Sequence, residues 1–177
     1  MPRLRRISVV KPNAQDFAEV AERHLDDVHA FLVYLTGDRS VAEDLTAETF
    51  ARALERWRKF DPRRGSARTW LCQLARSTAL DHFRSEERRR RREGRYAVAE
   101  VRESAEPVFG EGLSPALERA LAQLSAAERE VIALRVVLEL DGEGAARVLG
   151  ISTSACSTRL SRALQKLEKE VSSGVAA

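Results

Sequence analysis

Side chains able to do acid–base, nucleophilic or metal chemistry are present in this sequence but are not grouped for any of it. Its three histidines, His24, His29 and His82, are scattered. His24 and His29 share an expected helix at a spacing that misses the three or four residues needed to put two ligands on one face. Cys72 and Cys156 lie far apart, with no CxxC pair and no histidine at ligand spacing. They point to neither a disulfide framework nor a zinc site and read as small buried hydrophobes. There is no GxxxxGK or GxGxxG phosphate loop, no GxSxG and no HExxH. No catalytic residue, metal or cofactor is expected.

The chemistry that is left is recognition. Asp44 and Glu48 stack on one face of an expected helix with Glu43 beside them, an arrangement that suits a basic protein partner and repels DNA. Arg63, Arg64, Arg68, Arg76 and Arg84, followed by arginines at 88–92, form a basic strip that also holds Trp70 and Phe83. Positive charge interleaved with aromatic rings suits single-stranded or distorted DNA, although the spacing of Trp70 fits a core position as well. Towards the C-terminus, Thr153, Ser154, Ser157, Thr158, Ser161 and Arg162, with Arg159 at the edge, share the face opposite Cys156, Leu160, Ala163 and Leu167. Hydroxyls and guanidinium groups on one helical face match phosphate oxygens and base edges in a major groove.

The elements that must position these residues read as helices throughout. The chain has 177 residues, 44% of them hydrophobic, with 30 Lys+Arg against 27 Asp+Glu and a net charge of +3. That composition supports one medium domain or two small ones and excludes global disorder. Helical spacing runs from Asp16 to a stop at Thr36-Gly37-Asp38. A second helix is expected from near Ser40, with Ala42, Leu45, Phe50, Ala53, Leu54 and Trp57 as its stripe, ending by Pro62. Ser66 caps a third, which carries Trp70, Leu71, Leu74, Ala75, Leu80 and Phe83 into the arginine run. Residues 93–115 lack a sustained period and read as a flexible linker. Beyond it come a short stripe of Leu117, Leu121 and Leu124, and a capping box at Ser125 and Glu128 opening a helix through Leu138. A break at Asp141-Gly142, a short segment, the turn Gly150-Ile151-Ser152 and a long last helix follow, the pattern of a helix-turn-helix. The expectation is an all-α chain of two small helical domains, 14–92 and 116–171, flanked by tails at 1–13 and 172–177. No apolar run reaches the roughly 18 residues of a membrane span and the N-terminal stretch lacks a signal-peptide pattern, so a cytoplasmic protein without membrane insertion is expected.

From the residues alone, a self-contained DNA-binding regulator and an interaction module without a DNA role both stay open. A stronger signal lies in two ordered blocks. The string from Gly37 to Phe50 resembles region 2.2 of the extracytoplasmic-function (ECF) sigma factors, and Phe60, Gly65-Ser66, Trp70-Leu71, Ala75-Arg76 and Asp81-His82-Phe83-Arg84 are similar to regions 2.3 and 2.4. Leu124-Ser125, Glu128-Arg129-Glu130-Val131, Leu134-Arg135, Leu149-Gly150-Ile151-Ser152 and Ser157 to Ala163 resemble region 4.

The resemblance implies a role for each surface. Glu43, Asp44 and Glu48 would dock on the β′ coiled-coil of core RNA polymerase. Arg63, Arg64, Ser66, Arg68, Trp70, Arg76, Ser77 and Arg84 would open and read the promoter −10 element. Thr153, Ser154, Ser157, Thr158, Arg159 and Arg162 would read the −35 duplex, with the apolar side of region 4 against the β flap. An anti-sigma factor would hold the protein inactive. Against the family pattern, Ala47 stands where Gln is usual, Ser77 where Asn is common, Cys156 for Val and Ser157 for Lys. Gly142 and Gly144 replace an aromatic residue and a Glu, and at about 0.5–1 kcal/mol per interior glycine they predict a helix that starts late or frays.

Overall fold

Gly37 takes a left-handed φ of 66° and its N–H reaches back to the Val33 carbonyl at 2.8 Å, which closes the first helix. Asp38 opens the next at once, its side chain accepting from the Val41 N–H at 3.1 Å. The computed structural model describes residues 14–93, 108–110 and 112–175, and the described residues are all helix and connection, with no strand. The expected tail 1–13 and most of the expected linker lie outside them.

Helices α1 (Ala14–Thr36), α2 (Arg39–Arg56) and α3 (Ala67–Glu93) pack as one bundle, with a 3-10 turn at Trp57–Lys59. Val28, Phe31, Leu32, Leu45, Leu71 and Ala75 are buried at its centre. The turn seats Trp57 between Phe17, at 5.5 Å, and Phe60, stacked at 5.0 Å, and Trp70 closes the cluster 5.2 Å from Phe60. The buried stripe of α2 consists of Ala42, Leu45, Thr46, Thr49 and Ala53. Thr46 and Thr49 fit this apolar stripe because each hydroxyl donates to the carbonyl one turn back at 2.7 Å. Leu54, expected in the core, points away from that narrow stripe and is 53% exposed; Phe83 on α3 is exposed too.

The second group holds α4 (Pro115–Ala122), α5 (Ala126–Ile132), α6 (Gly142–Leu149) and α7 (Thr153–Val175). α7 therefore runs beyond the expected domain end at 171. The capping box forms as read: Ser125 accepts from the Glu128 N–H, and the Glu128 carboxylate accepts from the Ser125 N–H at 2.7 Å. α5 runs into a π turn, Ala133–Val137, closed by Leu138 N–H to the Ala133 carbonyl at 2.8 Å. The wider turn leaves Val136 and Val137 exposed while Leu134 and Leu138 stay buried.

The glycines of α6 act differently from the expectation of a late or frayed start. Asp141, read as part of a break, is the N-cap, and its carboxylate accepts from the Gly144 N–H at 2.6 Å. Gly142 and Gly144 thus fall in the first turn, where an N-cap fixes the helix start and the interior penalty does not apply. Gly144 is also tightly surrounded, since a Cβ there would lie 2.9 Å from Asp141 Oδ1 and 3.3 Å from Thr69 Oγ1 of α3. Gly150, at φ 68°, ends α6, and the Ser152 hydroxyl caps α7 by accepting from Ala155 N–H at 3.2 Å.

The two groups share one continuous core. α1 packs on α5 and its π turn, and α3 packs on α6. Phe109, expected within a linker, is buried to 2% exposure between them because it has an apolar slot to fill beside Tyr34.

Candidate nucleic-acid and protein interfaces

On α2 the residues facing the core leave Glu43, Asp44, Ala47 and Glu48 exposed as a strip. Glu48 is held by Arg52 at 2.5 Å, and Arg52 also reaches Asp81 of α3 at 3.1 Å. The hydrogen bond to Asp81 raises the affinity of Arg52 for its proton. Beside the strip, Ala21, Leu25, Thr46, Ala47 and Phe50 line an open apolar groove between α1 and α2. Acidic rim and apolar floor together can seat a basic amphipathic helix. Ala47 puts a methyl group on that floor.

The expected basic strip divides into groups with different partners. Arg63 and Arg64 lie exposed on the loop before α3, and Ser77 and Arg84 are exposed on α3. Arg84 keeps a loose pair with Asp81 at 3.5 Å. Ser66 caps α3, accepting from the Thr69 N–H at 3.1 Å and sharing a hydrogen bond with its hydroxyl. Trp70 is half-buried against Trp57 and Phe60. Arg68 turns inward, with Nε and Nη2 on the two carboxylate oxygens of Asp27 in α1 at 2.7 and 3.0 Å. Arg76 crosses to the second group, donating to both oxygens of Glu130 at 3.1 and 3.3 Å.

Asp27, Phe109, Arg129, Glu130 and Arg147 were not legible as site residues. Arg129 donates to the Tyr34 carbonyl at 3.2 Å and the Leu124 carbonyl at 2.6 Å, and its guanidinium stands 5.5 Å over the Phe109 ring. Burial lowers its pKa. Gln73 donates to the Arg147 carbonyl at 3.2 Å. Between the groups, Phe60, Arg64, Gly65, Ser66, Trp70 and Arg147 line a cleft of about 430 Å³. No signal in the sequence pairs Arg68 with Asp27, Arg76 with Glu130 or Gln73 with Arg147, which are separated by tens of positions.

On α7, Thr153, Ser154, Ser157, Thr158 and Arg162 are exposed together and Arg159 is half-buried at their edge, while Cys156 and Ala163 face inward. Ser154, Thr158, Arg159 and Arg162 border a groove closed on its far side by Ser125, Ala127 and Glu128 of α5. Cys72 and Cys156 are buried and unbridged, and burial pushes the Cys72 thiol up to about 12.

Among the described residues no group of His, Cys, Asp or Glu could hold a metal ion, and no helix is long and apolar enough to cross a membrane.

Two family descriptions match this chain, Sigma-70 region 2 over residues 20–89 and Sigma-70, region 4 over residues 114–167. The first covers the α1–α3 bundle and the second the α4–α7 group. The ECF RNA polymerase sigma factor SigC of Mycobacterium tuberculosis is 33% identical over 163 residues, which span 91% of this chain and 86% of that protein. This chain is an ECF sigma factor by family.

Other relatives agree with this sigma factor's architecture. The ECF RNA polymerase sigma factor SigM of Bacillus subtilis is 27% identical over 89% of this chain and 96% of its own length. BldN of Streptomyces coelicolor is 34% identical over 88% of this chain, which spans 60% of BldN. Among solved structures, the sigma factor RpoE of Bartonella quintana in complex with the anti-sigma factor NepR superposes with a TM-score of 0.76, at 24% identity over 90% of this chain and 98% of that one. CnrH in complex with the cytosolic domain of CnrY gives 0.66 at 23% identity, over 91% of this chain and 90% of that one. Both likenesses are of fold. Sigma factors are transcription initiation factors.

Proposed function

We propose that the chain directs promoter-specific initiation by docking on cytoplasmic core RNA polymerase through Glu43, Asp44 and Glu48. The loop after Phe60 and the α3 face carrying Arg63, Arg64, Ser66, Trp70, Arg76, Ser77 and Arg84 hold the opened −10 strand. Arg68 supports that face from behind through Asp27. Thr153, Ser154, Ser157, Thr158, Arg159 and Arg162 of α7 read the −35 duplex, and the apolar side of the second group meets the β flap. The polymerase supplies all the catalysis, and this chain supplies the address and the melting of the −10 element.

The observation that carries this reading is the separation of opposite charge on one scaffold. An acidic strip on α2 would repel DNA on its own, so it needs a basic protein partner, while exposed hydroxyls and Arg162 on α7 need a duplex. An anti-sigma factor that covers these surfaces is the natural regulator, a reading supported by the complex of RpoE of Bartonella quintana with the anti-sigma factor NepR. Run-off transcription with purified core polymerase over fragments of the source genome tests the proposal. A discrete promoter-dependent transcript is expected; none from any fragment refutes it. A gel shift on duplex DNA without polymerase separates the alternative of a free-standing regulator, which predicts tight, salt-sensitive binding by the chain alone.

A further inference from the structure

We infer that Arg88 and Arg92, in the arginine run that ends α3, bind phosphates of the promoter duplex between the −10 and −35 elements. This assignment rests on the sigma reading above, in which the −10 residues stop at Arg84.

The run holds two kinds of arginine. Arg89 reaches Glu86 at 3.2 Å and Glu93 at 3.4 Å, and Arg91 donates to Glu87 at 2.8 Å. Pairs at these spacings support the helix that carries them. Arg88 and Arg92 are exposed, and among the described residues neither has an ion pair.

Register separates the two kinds as well. At about 3.6 residues per turn, Ser77, Arg84, Arg88 and Arg92 fall within an arc of about 80° on α3. The free arginines thus prolong the row that begins with the exposed Ser77 of the −10 face. Arg89 is turned about 100° further round than Arg88, toward the side where Glu86 and Glu93 stand. A helix dipole favours cations only in the last turn, which accounts for Arg92 but not for Arg88 in line with Ser77 and Arg84.

The chemistry of the row selects its ligand. No aromatic residue occurs from Arg84 to Glu93, so this stretch offers an unpaired base nothing to stack on. Phe83, just before it, is turned to His82, with ring centroids 5.9 Å apart. Exposed guanidinium groups without an aromatic neighbour suit phosphate oxygens, whose charge they neutralise whatever the base sequence. From Arg84 to Arg92 the helix rises about 12 Å, the length of about three to four base pairs. Chain order places that duplex. The N-terminal end of α3 carries Trp70 of the −10 face, and its C-terminal end leads into the segment joined to the group whose α7 faces the −35 element. The arginine end therefore lies on the −35 side of the −10 face, against DNA that stays double-stranded.

The test uses holoenzyme assembled from the full chain and core polymerase, on a promoter found by run-off transcription. Affinity is measured from about 50 to about 200 mM salt for wild type, for Arg88→Ala with Arg92→Ala, and for Arg89→Ala as the paired control, each with unchanged helical circular dichroism. Loss of two phosphate contacts should lower the slope of log affinity against log salt by about 1.8, so that the double variant loses about twelvefold less affinity over this range than wild type. Arg89→Ala should keep the wild-type slope. Neutral methylphosphonates in place of the spacer phosphates nearest the −10 element locate the contact: the wild-type slope should fall to that of the double variant, whose own slope should not change. An unchanged slope in the double variant overturns the assignment. So does a lowered slope that the methylphosphonates leave unaffected, which would put the arginines on the polymerase or on other nucleic acid. Either result on a transcribed promoter leaves the sigma reading intact, whereas the absence of any transcript removes both.

Discussion

Arg68 offers the sharpest test of how a charged residue in the proposed −10 strip is used. Its two hydrogen bonds to Asp27 measure 2.7 and 3.0 Å, and the side chains are 29% and 28% exposed. A hydrogen bond to a charged group contributes about 1.5–3 kcal/mol when well shielded, and an exposed ion pair about 0.2–1 kcal/mol. A bidentate pair at this intermediate exposure should couple by about 1–1.5 kcal/mol. The perturbation is a double-mutant cycle of Arg68→Ala and Asp27→Ala. Asp27 also contacts His24 Nδ1 at 3.3 Å, so Asp27→Ala alone disturbs one more group and only the coupling term isolates the pair. The assay is urea unfolding followed by tryptophan fluorescence. Both tryptophans, Trp57 and Trp70, lie in the α1–α3 bundle, so the signal reports that bundle. A positioning role also predicts that the two single variants lower run-off transcription to the same degree. Additive effects on stability within about 0.3 kcal/mol, or a loss of transcription confined to Arg68→Ala, would show that Arg68 reaches DNA directly and refute the reasoning.

Three further outcomes are expected. Asp44→Lys with Glu48→Lys should abolish co-purification with core polymerase while the second group stays folded; retained co-purification contradicts the docking face. Ser125→Ala removes the α5 cap and should cost about 1 kcal/mol in thermal unfolding followed by circular dichroism, with Ser125→Asp close to wild type. Burial alone would raise the pKa of Glu128, but hydrogen bonds from Ser125 and Lys166 hold it below the ordinary 4.5. The lowered value means that the folded state favours the carboxylate, so this stabilisation is present above 4.5 and fades as the pH falls through the lower folded value. Glu128→Gln should flatten that part of the stability profile, and an unchanged profile would contradict it.

Much of the fold was legible because its determinants are local. The Ser125 and Glu128 box, the Ser66 and Ser152 caps and the stop at Gly37 each act within four residues, and each forms in the structure. Asp141 was a local signal too, but a cap beside glycine looks like a loop until the helix start is known. Leu54 was misplaced because small and hydroxyl-bearing residues, not large apolar ones, mark the buried stripe of α2. The candidate strips follow from helical spacing, whereas the inward turn of Arg68 and the crossing of Arg76 depend on Asp27 and Glu130, which only the folded chain brings near. Phe109 was hidden for the same reason, being a single aromatic residue in a stretch without period.

The π turn at Ala133–Val137 carries a consequence for how this sequence can vary. One residue more than an α-helical turn is stored there, and everything downstream is rotated by about 100° relative to an unbroken helix. Removing a single residue, Val136 for example, would leave a regular helix with good propensity and an intact apolar content. It would nonetheless aim α6 and α7 in a different direction from α1 and α3. The stretch 133–137 is thus a frame-setting spacer: substitutions that keep its apolar inner face should be tolerated, but changes in its length should not, although it lies in a helix of unremarkable composition.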